Sequence, residues 1–435
     1  MVAMKSYTAS GSCTAQVLAT LAQTLAEAQP FTADFLCVFY DALHDDQAIT
    51  LFLDQHFPGV ARLGGTSCAG VMSDAGLAGG GSIGLLLVQD PDGDYGTAAI
   101  RLQGNAADCA ERALQAALHD AGCPGELPEL VWIYQAPGQE EAVIEGLRRI
   151  VSDRCPIIGG SSADDDIGGR WRQLGPDGPL CDGLVVGVLF PSGGISHVFQ
   201  GGYEPSGHSG TITRVGATAA AGGAARHIIA IDEQPAAEVY NRWLGGALEP
   251  QLAAGGNILR ATTMFPLGVD AGRIGEVRCH RLIHPERILP GGALSTFAQV
   301  EEGMRLYAMR GHKSHLVERA GLVAAAAAAS LPGGANTLAG ALVVYCAGCM
   351  FAVGEDMPQV AQAVAQRRPG HEPRQGGRQG RPGLLHARPG PGGPGAPVAG
   401  AAPARRSQRR RVLLRPAAQG GHPQRCHYRL RGPGA

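Results

Sequence analysis

The chain has 435 residues, 45 % of them apolar and 17 % charged, and a formal net charge of −2. This length suits two or three domains, and the apolar share is enough to bury large cores. No apolar segment precedes Gln16, and the longest apolar run, around Val323–Ala329, falls far short of the ~20 residues of a membrane span. A cytoplasmic protein without membrane contact is expected. Aromatics are only 5 % while glycine reaches 65 residues, which favours Ala/Gly-rich α/β packing over an aromatic-rich β-sandwich. The eleven cysteines are scattered and odd in number, so they read as reduced, mostly buried thiols, not as a disulfide framework.

Residues 1–29 read as an N-terminal helix or leader. An internal repeat follows. The first copy is the apolar run Phe35–Tyr40, then Asp45-Asp46 opening a helical pattern, then Gly64-Gly65-Thr66-Ser67. The second is Leu130–Tyr134, then Glu140-Glu141, then Gly159-Gly160-Ser161-Ser162. Each reads as strand, helix, strand and Gly-rich turn. The continuous apolar strands predict a sheet covered on both faces, with the two strands of each copy parallel, and an α/β fold of mostly parallel or mixed sheets in two halves. The acids sit where the helix dipole favours them. Further strands are predicted at Ser82–Val88 and Gly183–Phe190, with a helix over Ala106–Ala121 linking the copies.

A mixed region spans Phe199–Pro332, with strands predicted at Gly210–Val215, His227–Ile231, Glu276–Ile283 and Met304–Met309. Helices are predicted from Ala236 and through Ala329. A third copy begins at Leu342–Cys346, read as a strand, with Glu355-Asp356 opening a helix toward Gln366. From Arg367 the composition changes. Residues 367–435 hold fifteen arginines, no lysine and one acid, Glu372, a charge of +14 that leaves −16 on the rest. Such a segment reads as disordered. Its lack of lysine and near-lack of aromatics argues for a shifted reading frame over a nucleic-acid-binding tail.

The ordered set Leu63–Gly70, Ile158–Asp165, Gly202–Pro205, Thr211–Thr213, Pro235–Tyr240, Val277-Arg278 and Val300–Met304 resembles FIST sensory domains. On that resemblance, residues 30–200 correspond to the N-terminal half with two repeats, residues 201–366 to a truncated C-terminal half, and residues 367–435 to an aberrant tail. The closing segment of the family pattern is missing. The resemblance implies a signal-input protein that binds a small ligand such as an amino acid. The expected site is a cleft between the two halves, and since no kinase, cyclase or methyl-accepting segment is visible in the sequence, the expected output is a separate protein. It implies no catalytic residues, and neither a cofactor nor a metal is expected.

The two Gly-Gly-(Thr/Ser)-Ser segments, at the ends of parallel strands, read as a ligand pocket or as turn chemistry alone. The candidate ligand contacts are Gly65, Thr66, Ser67, Gly160, Ser161, Ser162, Asp164, Asp165 and Arg278. The acids offer an ammonium partner or merely cap a loop. Arg278 offers a carboxylate fork or an ion pair between the halves. The Cys346-Ala-Gly-Cys349 spacing reads as a dithiol if exposed at a helix start, or as two small buried residues. An enzyme using the same cleft, through Cys346 or Cys349, is the alternative reading.

Overall fold

The computed structural model describes residues 2–366, other than 167, 218–224 and 275–276. The expected basic tail, 367–435, lies outside the described residues. In the N-terminal half the elements are β1 (Ala3–Ser10), α1 (Thr14–Glu27), β2 (Phe35–Tyr40), α2 (Asp46–His56), β3 (Ala61–Thr66), β4 (Val71–Ser73), β5 (Gly76–Ala78), β6 (Ser82–Gln89) and β7 (Asp94–Arg101). There follow α3 (Ala106–Asp120), β8 (Leu130–Gln135), α4 (Glu140–Val151), β9 (Ile157–Ser161), β10 (Gln173–Gly175), β11 (Gly178–Leu180) and β12 (Gly183–Phe190). The first 29 residues are thus not a helical leader alone. They supply an edge strand, β1, which pairs antiparallel with β6.

Two sheets form, in the orders β1-β6-β2-β3-β10-β11 and β7-β12-β8-β9. The repeated pairs β2–β3 and β8–β9 are parallel, and the remaining neighbours are antiparallel. Side chains alternate along each strand and build four layers. Leu36 and Val38 of β2 face α1 and α2 in one core, and Val131 and Ile133 of β8 face α3 and α4 in another. The other parity, Phe35 and Cys37 with Leu130 and Trp132, meets between the sheets. Helices therefore cover each sheet outside, and the sheets cover each other inside.

That parity settles the offset of the repeat. Tyr40 and Tyr134 look equivalent in sequence, yet Tyr40 faces the helices of its layer, and Phe39 is the residue that meets the Tyr134 ring, at 5.4 Å between centroids. A slip of one residue would turn every side chain to the opposite face, so Phe39 is the counterpart of Tyr134. Val38 and Ile133 are then counterparts too, and each lies beside a glycine of the next strand. A β-carbon on Gly64 would stand 1.7 Å from the Val38 oxygen, and one on Gly159 1.9 Å from the Ile133 oxygen. The Gly-Gly pairs were expected in turns; they lie inside β3 and β9, where they allow close backbone approach. Asp45 caps α2 by accepting from the N–H groups of Gln47 and Ala48.

The C-terminal half holds, among the described residues, nine strands in one sheet: β13 (Tyr203–Ala217), β14 (Ala225–Ile231), β15 (Gln234–Pro235), β16 (Gly256–Asn257), β17 (Leu267–Ile274), β18 (Val277–Ile283), β19 (Pro285–Ile288), β20 (Leu294–Thr296) and β21 (Arg305–Gly311). All of its recorded pairings are antiparallel. Helices α5 (Ala236–Trp243), α6 (Glu249–Ala254) and α7 (Leu259–Thr262) accompany it, and Ala237, Val239 and Tyr240 of α5 bury against Ile212, Ile228 and Leu267. Then come α8 (Lys313–Ala329), α9 (Ala347–Val353) and α10 (Met357–Gln366). The strand expected at Leu342–Cys346 does not form; the run belongs to no helix or strand. It is apolar because it covers the mouth of the inter-sheet core, where Leu342 packs with Trp132 and Met4, and not because it extends a sheet.

The halves are clasped at the start of α4. Glu141 pairs with Arg226 at 3.0 Å and Arg281 at 3.7 Å, and accepts from the Gln299 N–H at 2.9 Å. Burial pushes this carboxyl upward, but the Gln299 N–H and the Arg226 guanidinium outweigh it and hold its pKa below the ordinary value. A depressed folded-state pKa gives stability that is present above the unfolded value of 4.5 and is lost as pH falls through the folded one.

Two outcomes are expected. Gly159→Ala should cost about 3 kcal/mol or more, from overlap and a φ of +147°; an unchanged urea midpoint would refute the close approach. Glu141→Gln should cost roughly 1–3 kcal/mol at pH 7 by stranding the mostly buried Arg226. It should also flatten the stability loss of the wild type below pH 4.5; identical acid unfolding profiles would remove the clasp.

Candidate functional site

A cleft of about 830 Å³ opens between the two halves, within the usual range for small-molecule sites. The N-terminal half contributes the ends of β2, β3, β8 and β9, the β4–β5 hairpin and the face of β1. The C-terminal half contributes the 339–346 segment, α9 and α10. Met350, Val353, Met357 and Val360 of those helices pack with Leu316, and Cys68, Met72 and Leu77 pack against them from the N-terminal half. The walls are largely apolar and aromatic, including Phe39, Trp132, Tyr134 and Leu342.

Five of the nine predicted contacts line this cleft: Ser67, Gly160, Ser161, Ser162 and Asp164. Most are already engaged. Ser67 Oγ donates to the Gly70 carbonyl at 3.0 Å. Ser162 is buried, donating to the Gln135 oxygen at 3.1 Å and accepting from Gln173 Nε2 at 2.5 Å. Asp164, 2 % exposed, accepts from the N–H groups of Gly168 and Arg170 at 2.9 and 2.7 Å. Its carboxylate therefore shapes the loop beyond β9.

The other four stand outside the lining. Gly65 has no room for a side chain, since a β-carbon would stand 2.3 Å from the Arg172 oxygen. Thr66 is buried, with its Oγ1 accepting from the Arg172 N–H at 3.0 Å. Asp165 accepts from the Ala69 N–H at 2.5 Å and so pins the β3–β4 loop to the β9 loop. Arg278 pairs with Asp270 at 3.6 Å in the exposed β17–β18 hairpin. The bridge between halves that seemed open to Arg278 is made by Arg226 and Arg281.

Sequence reasoning missed four features of this site. Glu140 was read only as a helix start, yet its carboxylate lines the cleft, accepting from Ser161 Oγ at 2.8 Å and the Gly138 N–H at 3.0 Å. Trp132 Nε1 and His284 Nδ1 are buried atoms of wall residues without a hydrogen-bond partner among the described residues. Burial holds the His284 imidazole neutral, its pKa down at about 4. Tyr134 donates to the Thr66 carbonyl at 2.5 Å, tying the two repeats together at the cleft floor. Only the spacing of Tyr134 before a Gly-Gly pair hinted at it.

The Cys346–Cys349 pair lies at the same cleft. Cys346 is exposed to it and caps α9, while Cys349 is half-buried with Tyr203 Oη 3.6 Å from its sulfur. The neighbouring Cys349 thiol and the N–H groups at the helix start favour the Cys346 thiolate and, against burial, hold its pKa below the ordinary thiol value. Cys68, also a wall residue, is pushed up to about 12 by burial and by Asp165. Among the described residues no cluster of His, Cys, Asp and Glu could hold a metal ion, and no helix is long and apolar enough to cross a membrane.

Two α/β halves thus meet around a cleft large enough for a small molecule. The FIST N domain family matches residues 34–234 and the FIST C domain family residues 236–376. The chain belongs to the FIST family, whose domains are sensory modules of signal-transduction proteins. No curated protein matches the sequence. A solved cyanuric acid hydrolase from A. caulinodans aligns over 49 % of this chain and 72 % of its own, at 13 % identity and a TM-score of 0.28. That likeness is too remote to bear on fold or chemistry.

Asp164→Asn should lower stability by about 1–3 kcal/mol, since a neutral amide accepts less strongly from the two loop N–H groups. The loss should appear as faster amide exchange at Gly168 and Arg170; unchanged exchange there would remove Asp164 from the loop's support.

Proposed function

We propose that the chain is a cytoplasmic signal-input protein that binds one small metabolite, an amino acid or a close relative, in the cleft between its halves. It would pass the signal to a separate output protein and carry out no catalysis itself. The observation that carries this reading is the composition of the cleft. Apolar aromatic walls suit the body of such a ligand. The Glu140 carboxylate beside Ser161 suits an ammonium, and Trp132 Nε1 and His284 Nδ1 stand buried without partners among the described residues. Ser67, Gly160, Ser161, Ser162 and Asp164 are the proposed ligand-facing frame, with Gly65, Thr66 and Asp165 holding that frame in shape. Both halves line the cleft, so a ligand there would bear on both at once.

A thermal-shift screen of amino acids and small amines tests the reading. A true ligand at about 100 times its Kd should add about 2.7 kcal/mol of stability. Glu140→Gln should then weaken an amine ligand by roughly 1–3 kcal/mol, the scale of a lost charge-assisted hydrogen bond. A ligand that Glu140→Gln leaves unaffected would move the ammonium site elsewhere. Turnover of the bound compound would replace the sensor with an enzyme.

A further inference from the structure

We propose that Cys346 and Cys349 form a redox-active dithiol that opens onto the cleft and exchanges with low-molecular-weight disulfides. The inference goes beyond metabolite binding and does not depend on which metabolite occupies the cleft. Three independent features carry it. Cys346 stands at the N-cap of α9 and Cys349 on its first turn, and residues at this C-x-x-C spacing on an opening helical turn lie within the span that a disulfide bridges. They are also unequal in access. Cys346 is exposed at the cleft wall, while Cys349 sits behind it, half-buried among Met350, Met357 and Leu316. Finally, Tyr203 Oη lies 3.6 Å from the Cys349 sulfur and donates to the Thr263 carbonyl at 3.1 Å, so the inner sulfur touches the first strand of the C-terminal half.

These features assign the roles. The Cys346 thiolate attacks one sulfur of a disulfide RSSR, forming a Cys346–S–S–R mixed disulfide and releasing RS⁻. Cys349 then gives up its proton to the departing thiolate and attacks the Cys346 sulfur, which expels the second RS⁻; solvent protonates it. The protein loses two electrons and two protons as a disulfide, and RSSR is reduced to two RSH. Cys68 lines the same cleft but is held as an unreactive thiol by burial and by the neighbouring Asp165. Cys13 and Cys181 are exposed and serve as internal references.

The test uses the full chain, glutathione disulfide and iodoacetamide. In the wild type, incubation with glutathione disulfide should remove two alkylatable thiols and yield a peptide linked between Cys346 and Cys349. Cys349→Ser should instead trap glutathione on Cys346, and Cys346→Ser should trap none on Cys349. At pH 7 iodoacetamide should modify Cys346 roughly tenfold faster than Cys13 or Cys181. A disulfide mapped to Cys68, or glutathione found on Cys346 no faster than on Cys13 and Cys181, would overturn the proposal. The wild-type mapping needs no variant to fold.

Discussion

The inner faces of the two N-terminal sheets meet through Phe35, Cys37, Leu63, Trp132 and Val185, and that contact places the rest of the molecule. It forces β2 and β8 to be apolar on both faces, because each sheet is covered outside by its own pair of helices. Burial of this kind contributes roughly 25 cal/mol per Å², so strands apolar on both faces hold the layers far more firmly than any surface ion pair. The layers in turn fix where β3 and β9 end. Both strands run beside a parallel partner without side chains at Gly64 and Gly159, and they deliver Thr66 and Ser161 to the same end of the sandwich.

At that end polar groups mostly build shape. Tyr134 reaches the Thr66 carbonyl, the Ser162 N–H bonds the Gln135 oxygen, and the Ala163 N–H bonds the Thr66 oxygen. The first and last of these bonds lock the end of one repeat to the end of the other. The carboxylates of Asp164 and Asp165 are consumed by loop N–H groups. The cleft is left with aromatic walls, the Glu140–Ser161 pair and the Cys346 thiol.

Much of the N-terminal half is legible in the sequence, because its signals are local. The double apolar runs, the acids at helix starts and the paired glycines each report a backbone state within a few residues. The offset of the repeat was ambiguous by one position, and only packing distinguishes Phe39 from Tyr40 as the partner of Tyr134. In the C-terminal half the long antiparallel sheet was seen only as isolated strands, since nothing local encodes which strand lies beside which. Leu342–Cys346 misled because an apolar run that covers a core has the same composition as a buried strand. Glu140 was hidden for a related reason: an acid at a helix start already has a sufficient local explanation. The match of Cys346 to a helix start was legible as a condition, and the structure places the residue there.

Glu140 and Glu141 are consecutive, yet one lines the cleft and the other clasps the C-terminal half through Arg226, Arg281 and Gln299. Neighbours on a helix point roughly 100° apart, so the opening turn of α4 serves two surfaces at once: the Glu140 carboxylate faces the cleft and the Glu141 carboxylate faces the seam between the halves. Wall and seam thus share one turn of backbone, and a change that unwound that turn would disturb both together.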